Sequence, residues 1–190
     1  VHPLVSVVDF SELESVRHCL KNFGFYCIFL KQLKCGELSY GRSTYDYQEG
    51  TLVFVAPGQV AGIDDDGETL NPQGWVLAFH PDLLRGTSLE RKMKNYSFFS
   101  YEANEALHMS ERERRIIFNC FIEIQEELER AIDKHSKDII ASTIELLLNH
   151  CQRFYDRQFI TRENINKDIL VRFENLLSDY FESDQPQTIG

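Results

Sequence analysis

Six histidines are the side chains best able to hold a metal ion or pass a proton: His2, His18, His80, His108, His135 and His150. No two stand at ligand spacing such as H-x-H. A metal centre in a small β-barrel draws histidines and a carboxylate from one strand pair and a further histidine from a later strand. The first place for it, residues 36–50, offers Glu37, Asp46, Glu49 and the tyrosines Tyr40, Tyr45 and Tyr47, but no histidine. The second, Gln59 to Ile63, has none either. There is no glycine-rich phosphate loop and no G-x-S-x-G turn to raise a serine nucleophile. A serine, histidine and aspartate brought together only in space would leave no such signal. The residues therefore point to no metal, no cofactor and no enzymatic activity.

Binding is the chemistry that remains. Aromatic residues recur through the first half: Phe25, Tyr26, Phe29, Tyr40, Tyr45, Tyr47, Phe54, Trp75 and Phe79. Alternation along strands sends about half of such a set to one side. They either line a pocket for a small organic molecule or fill a barrel solidly. The candidate lining is Tyr26, Phe29, Tyr40, Arg42, Phe54, Trp75, Phe79 and His80. An inward Arg42 would favour an anionic ligand, whereas an outward one is a solvated surface group. His80 ends an apolar run before Pro81. It is either a polar contact at the pocket mouth or a strand-end histidine that hydrogen-bonds a loop carbonyl.

The five cysteines, Cys19, Cys27, Cys35, Cys120 and Cys151, are widely spaced and lack a C-x-x-C pair. They read as free thiols of a reducing, cytoplasmic setting. The 190 residues carry a net charge of −10, which opposes a phosphate backbone, so this chain is not expected to hold DNA itself. Hydrophobic residues at 43 % suffice for a packed core. No apolar run is long enough for a membrane helix. The chain starts at Val1 rather than Met, without a signal-like block, so a trimmed start is expected.

The elements that would position the candidates change character near residue 109. Before it, short apolar runs are punctuated by Gly, Pro and Asp: Val5–Phe10, Phe25–Leu33, Leu38–Arg42, Thr51–Val55, Val60–Ile63, Trp75–His80 and Glu105–Met109. Such runs predict strands of a barrel or sandwich. Pro81–Leu84 fits one helical turn with proline first. After it, Ser110 and Glu113 form a capping box ahead of Ile117, Phe121, Ile124, Leu128 and Ile132. Ser136 is expected to cap a second helix bearing Ile140, Ile144, Leu147, Leu148, Cys151 and Phe154. A loop, ITRENIN, then leads to a third helix, capped by Asn166 and striped by Ile169, Leu170, Phe173, Leu176, Leu177, Tyr180 and Phe181.

The order GELSYGRSTYDYQEGTLVFVAPGQV, GWVLAFHPDLL, YSFFSYEANEALHMSERER and INKDILVRFENLLSDYF resembles the effector-binding half of AraC-type transcriptional regulators. Gly50, Pro57, Gly58 and Gln59 match the barrel's strand and turn. Phe79, His80, Pro81, Leu83 and Leu84 match the strand end and helical turn that follow. Phe173, Leu176, Leu177, Tyr180 and Phe181 match the helix leading to a DNA-binding domain. The resemblance implies an α+β fold: a cupin-like β-barrel (double-stranded β-helix) over residues 1–109, a helical dimerisation and linker segment of about three helices over 110–184, and a polar tail, 185–190. The roughly hundred residues of a helix-turn-helix domain do not follow. DNA would be reached only through that absent domain.

The expected function is thus a bacterial ligand-sensing and dimerisation domain with a small-molecule effector. Its partner would be a second copy of itself. Ile139, Thr143 and Leu146 lie off the main apolar stripe of the second helix and, with Leu147, make the candidate dimer face. The alternatives are a small metal-free enzyme of the same fold, an isomerase or lyase, and a dimerisation scaffold with a filled barrel.

Overall fold

The computed structural model describes residues 2–12, 21–22, 24–31, 38–40, 43–45, 50–63, 73–100, 106–131 and 133–182. It is α+β, as expected. The strands are β1 (Val5–Asp9), β2 (Lys21–Asn22), β3 (Tyr26–Lys31), β4 (Leu38–Tyr40), β5 (Ser43–Tyr45), β6 (Thr51–Val55), β7 (Val60–Ile63), β8 (Gly74–Phe79) and β9 (Leu107–His108). The helices are α1 (Pro81–Leu84), α2 (Ser88–Lys92), α3 (Glu111–Glu129) and α4 (Ser136–Glu182). Short 3₁₀ turns lie at Met93–Asn95 and Ser97–Phe99.

Two antiparallel sheets form. One has the order β1-β8-β3-β6-β9, the other β2-β7-β4-β5. In sequence terms, β1 pairs with β8, β2 with β7, β3 with β6 and β4 with β5. Each pair is one step further out from a central hairpin. The register fixes which residues share a face, since opposite partners point the same way. In the larger sheet, Tyr26, Ile28 and Leu30 share a face with Phe79, Leu77 and Trp75 of β8 and with Phe54 and Leu52 of β6. Cys27, Phe29 and Lys31 share the other with Ala78, Val76 and Gly74, and with Val55 and Val53.

The first face is the principal core. Val5, Ile28, Leu30, Leu52, Leu77, Phe79 and Leu107 are each at most 1 % exposed. Phe54 meets Phe98 and Phe99 at ring-centroid distances of 4.4 and 5.5 Å, and Trp75 meets Phe118 of α3 edge-on at 5.3 Å. The helical layer therefore covers this side.

The turn Ala56–Gln59 shows how local chemistry joins the layers. Gln59 N–H donates to the Ala56 carbonyl at 3.1 Å. Pro57 sits second, and Gly58, third, has φ +85°, which is the pattern of a type II turn. The Gln59 side chain accepts from Ala56 N–H at 2.6 Å and donates to the Phe99 carbonyl at 3.4 Å.

The capping box of α3 forms: Ser110 Oγ accepts from Glu113 N–H, and Glu113 Oε2 accepts from Ser110 N–H at 2.8 Å. Two expectations for the helices are corrected. Ser136 is already inside α4, and Asp133 does the capping, its Oδ1 accepting from the N–H groups of His135 and Ser136 at 2.7 and 3.1 Å. The ITRENIN segment is helix, so the two expected helices are one. It contains neither Gly nor Pro, and weak helix formers alone do not stop a helix. The chain divides into two compact units, Val1–Phe154 and Tyr155–Gly190. That boundary lies inside the expected helical segment, because α3 and the start of α4 belong with the sheets.

Two carboxylates give the fold an acid limb. Asp133 is held below the ordinary carboxylate range first by the His135 N–H and also by Ser136. Glu145 is lowered by its hydrogen bonds from Lys92 and Ser88. A carboxyl whose folded value is depressed contributes stability above its unfolded value and loses it as pH falls through the folded one. Urea midpoints should therefore drop between about pH 5 and pH 2. Replacing both residues, Asp133→Asn with Glu145→Gln, should flatten that drop.

Candidate functional site

The sequence-chosen aromatics do not surround one space. Tyr26, Phe54, Trp75 and Phe79 lie on the helix-covered face, and Phe29 lies on the opposite one. Tyr26 stacks on Phe79 at 5.2 Å and meets Phe99 edge-on at 4.9 Å. Burial raises its pKa. These rings are packing residues, and strand alternation is the reason: they sit at even steps from one another across the register. Tyr40 lies on β4 opposite Ser43 and Ala61. Arg42 is outside the described residues.

His80 takes a local role, but its ring partner is a backbone N–H and not the expected loop carbonyl. Its Nδ1 accepts from Asp82 N–H at 3.1 Å, capping α1, so the proton of a neutral ring is on Nε2. Its backbone N–H donates to the Leu4 carbonyl at 2.7 Å, and its ring meets Phe25 edge-on at 5.2 Å.

The face turned from the helices is the better candidate. Cys27, Val55 and Val76 are its buried centre, with Val8, Phe10, Phe25, Phe29 and Ala78 packed around them, partly exposed. Phe10 stacks on Phe29 at 6.3 Å with planes 7° apart. At the far end of the same face the character changes. Lys31 follows Cys27 and Phe29 along β3 yet is only 6 % exposed. Beyond Leu30–Leu52 the Gly50 N–H donates to the Lys31 carbonyl at 3.3 Å, and the neighbouring Thr51 is fully buried with its Oγ1 3.4 Å from His108 Nδ1. This end was missed from sequence. The signal was there: a lysine closing the apolar run Phe25–Leu30 at the spacing of the inward residues.

Thiol chemistry is not available on this face. Burial pushes Cys27 up to about 12, far from thiolate at neutral pH. Cys120 is raised to about 11, chiefly by burial, and Cys151 well above its ordinary value for the same first reason. Among the described residues no group of three or more His, Cys, Asp or Glu could hold a metal ion.

Of the candidate dimer residues, Ile139 and Leu146 are each 47 % exposed, and Thr143, partly exposed between them, donates its hydroxyl to the Ile139 carbonyl at 3.0 Å. Leu147 is corrected: it is fully buried in the core with Ile140, Ile144 and Leu148. The 100° step of the helix between 146 and 147 carries the side chain from surface to interior. Among the described residues no helix is long and apolar enough to cross a membrane. No protein-family model and no curated protein matches the chain.

Proposed function

We propose that the chain is the ligand-sensing and self-associating part of a transcription regulator of AraC type, without enzymatic activity of its own. The strand pairing carries the reading. Pairs β1·β8, β2·β7, β3·β6 and β4·β5 are those of one long hairpin rolled into two sheets. That is the order of an eight-stranded jelly roll, the architecture of cupin-like barrels. In this reading β9 adds a strand to one edge, and the apolar second face of the larger sheet is the barrel interior. An effector rests there. A second copy of the chain packs on Ile139 and Leu146. A ligand that favours one association state shifts the population toward it, and an attached DNA-binding domain would feel that shift.

The test is sedimentation equilibrium of the purified chain with a thermal-shift screen of small metabolites. The expected result is a reversible dimer, with at least one compound raising the melting temperature and moving the dimer constant. A chain that stays monomeric at high concentration and gains stability from nothing in the screen is not a sensor of this kind.

A further inference from the structure

We infer that two copies of the chain meet antiparallel across Leu146, with Arg153 of each set against Asp138 of the other, and that these two charges select the partner and its direction. The inference rests on the proposed pairing of copies through this stripe, and it names what that face recognises.

Asp138, Ile139, Leu146 and Arg153 lie on α4 within the unit Val1–Phe154, and all four are exposed. From Ile139 to Leu146, and again from Leu146 to Arg153, is seven residues. That is about 20° short of two full turns and about 10.5 Å of rise. The three stand in one row with Leu146 at its middle. Asp138 is offset from the row to the same side as Arg153.

The stretch from Lys137 to Arg153 holds four permanently charged side chains, and the fold uses two of them. Lys137 donates to the Arg85 carbonyl at 2.7 Å. Glu145 accepts from Ser88 Oγ at 2.7 Å and from the Lys92 ammonium. The Asp138 carboxylate and the Arg153 guanidinium have no partner among the described residues. The two left over are opposite in sign and almost equally far from Leu146.

A two-fold axis at Leu146 between antiparallel helices brings like flanks together and sets each residue against its mirror position in the row. Ile139 then covers the aliphatic stem of Arg153 from the second copy, and the guanidinium reaches the neighbouring Asp138. Symmetry repeats the contact at the other end. A parallel pairing in register would instead place Arg153 beside Arg153. An axis between residues 142 and 143 would lay Ile139 on Leu146 but leave Asp138 and Arg153 without opposite charges. Exposed ion pairs add little to affinity, yet they discriminate between partners and orientations.

Sedimentation equilibrium of the whole chain, of Asp138→Arg, of Arg153→Asp and of the doubly exchanged chain tests this. Either single exchange sets like charges together at both ends, so the dimer should weaken at least about tenfold. The double exchange should regain the affinity of the unaltered chain. An equimolar mixture of the two single variants should form mixed dimers in preference to either alone, as read by native mass spectrometry. Thermal melts check folding, and the mixture compares the variants with each other, so lost stability cannot imitate the preference. Single exchanges that change nothing, or that weaken the dimer without recovery in the double variant and the mixture, overturn the assignment. The two proposals fail differently. An unaltered chain that stays monomeric removes both, whereas an unaltered dimer indifferent to the exchanges removes this one alone.

Discussion

Replacing Gly74 by alanine will leave the chain largely unfolded or lower its stability by at least about 3 kcal/mol, measured by urea unfolding or by the soluble fraction on expression. Gly74 opens β8, the strand hydrogen-bonded to both β1 and β3. Its φ is +143°, a conformation that side chains rarely adopt. A Cβ there would press into the Leu30 carbonyl oxygen and stand 3.1 Å from Lys31 Cα, both backbone atoms with no rotamer to yield. The damage would fall on the register that aligns Leu30 with Trp75 and Lys31 with the β8 edge. Gly86 is the control. It too has positive φ, +79°, but a Cβ there meets nothing within 4 Å. Gly86→Ala should cost only the left-handed backbone penalty, about 1–2 kcal/mol.

Leu146→Asp and Leu147→Asp should have opposite outcomes although the positions are adjacent. At 147 the carboxylate would enter a site with no solvent, among Ile140, Ile144, Leu148 and Cys151, all at most 1 % exposed. Lost apolar burial and an unpaired charge together should cost more than about 4 kcal/mol, enough to unfold a domain of ordinary stability. At 146 the side chain is nearly half exposed, so folding should change by less than about 0.5 kcal/mol. Association is what Leu146→Asp should abolish, because two carboxylates would face each other across a two-fold contact. Circular dichroism melts read the first effect, and sedimentation equilibrium reads the second. A Leu146→Asp chain that dimerises normally would move the self-association surface off this stripe.

How much of this is readable in the residues depends on what each residue answers to. Thr51–Val55 and Val60–Ile63 coincide with their strands, since Gly50, Pro57 and Gly58 bound them by backbone geometry alone. The α3 capping box is equally local: four residues contain the whole motif. Alternation separates Phe29 from Tyr26 and Phe54 without saying which side is covered, because that depends on Phe98, Phe99 and Phe118 arriving from far along the chain. The misplacement of the aromatic set follows directly. β5 was not foreseen, since Ser43–Tyr45 has little apolar content and forms by pairing with β4. Leu147 was named both in the main apolar stripe and on the dimer face, and the stripe is where it belongs, 100° round the helix from Leu146. Lys31 was overlooked because lysine is rarely buried, and charge alone gave attention to Arg42.

Gln59 also determines where this polypeptide tolerates being opened. Its side chain supplies a donor to Phe99 and an acceptor to Ala56, so the turn is spliced into a segment forty residues away. A new pair of termini made between Pro57 and Gly58 would release that splice and strand the Phe99 oxygen without it. The ties of the bend at Arg85–Thr87 to other segments lie at the surface: Gly86 N–H donates to the exposed Glu90 carboxylate at 2.9 Å, and the Arg85 carbonyl accepts from the exposed Lys137 ammonium at 2.7 Å. An inserted reporter or a circularly permuted break belongs at Gly86 rather than in the Gln59 turn, because what it would release there is solvent-exposed.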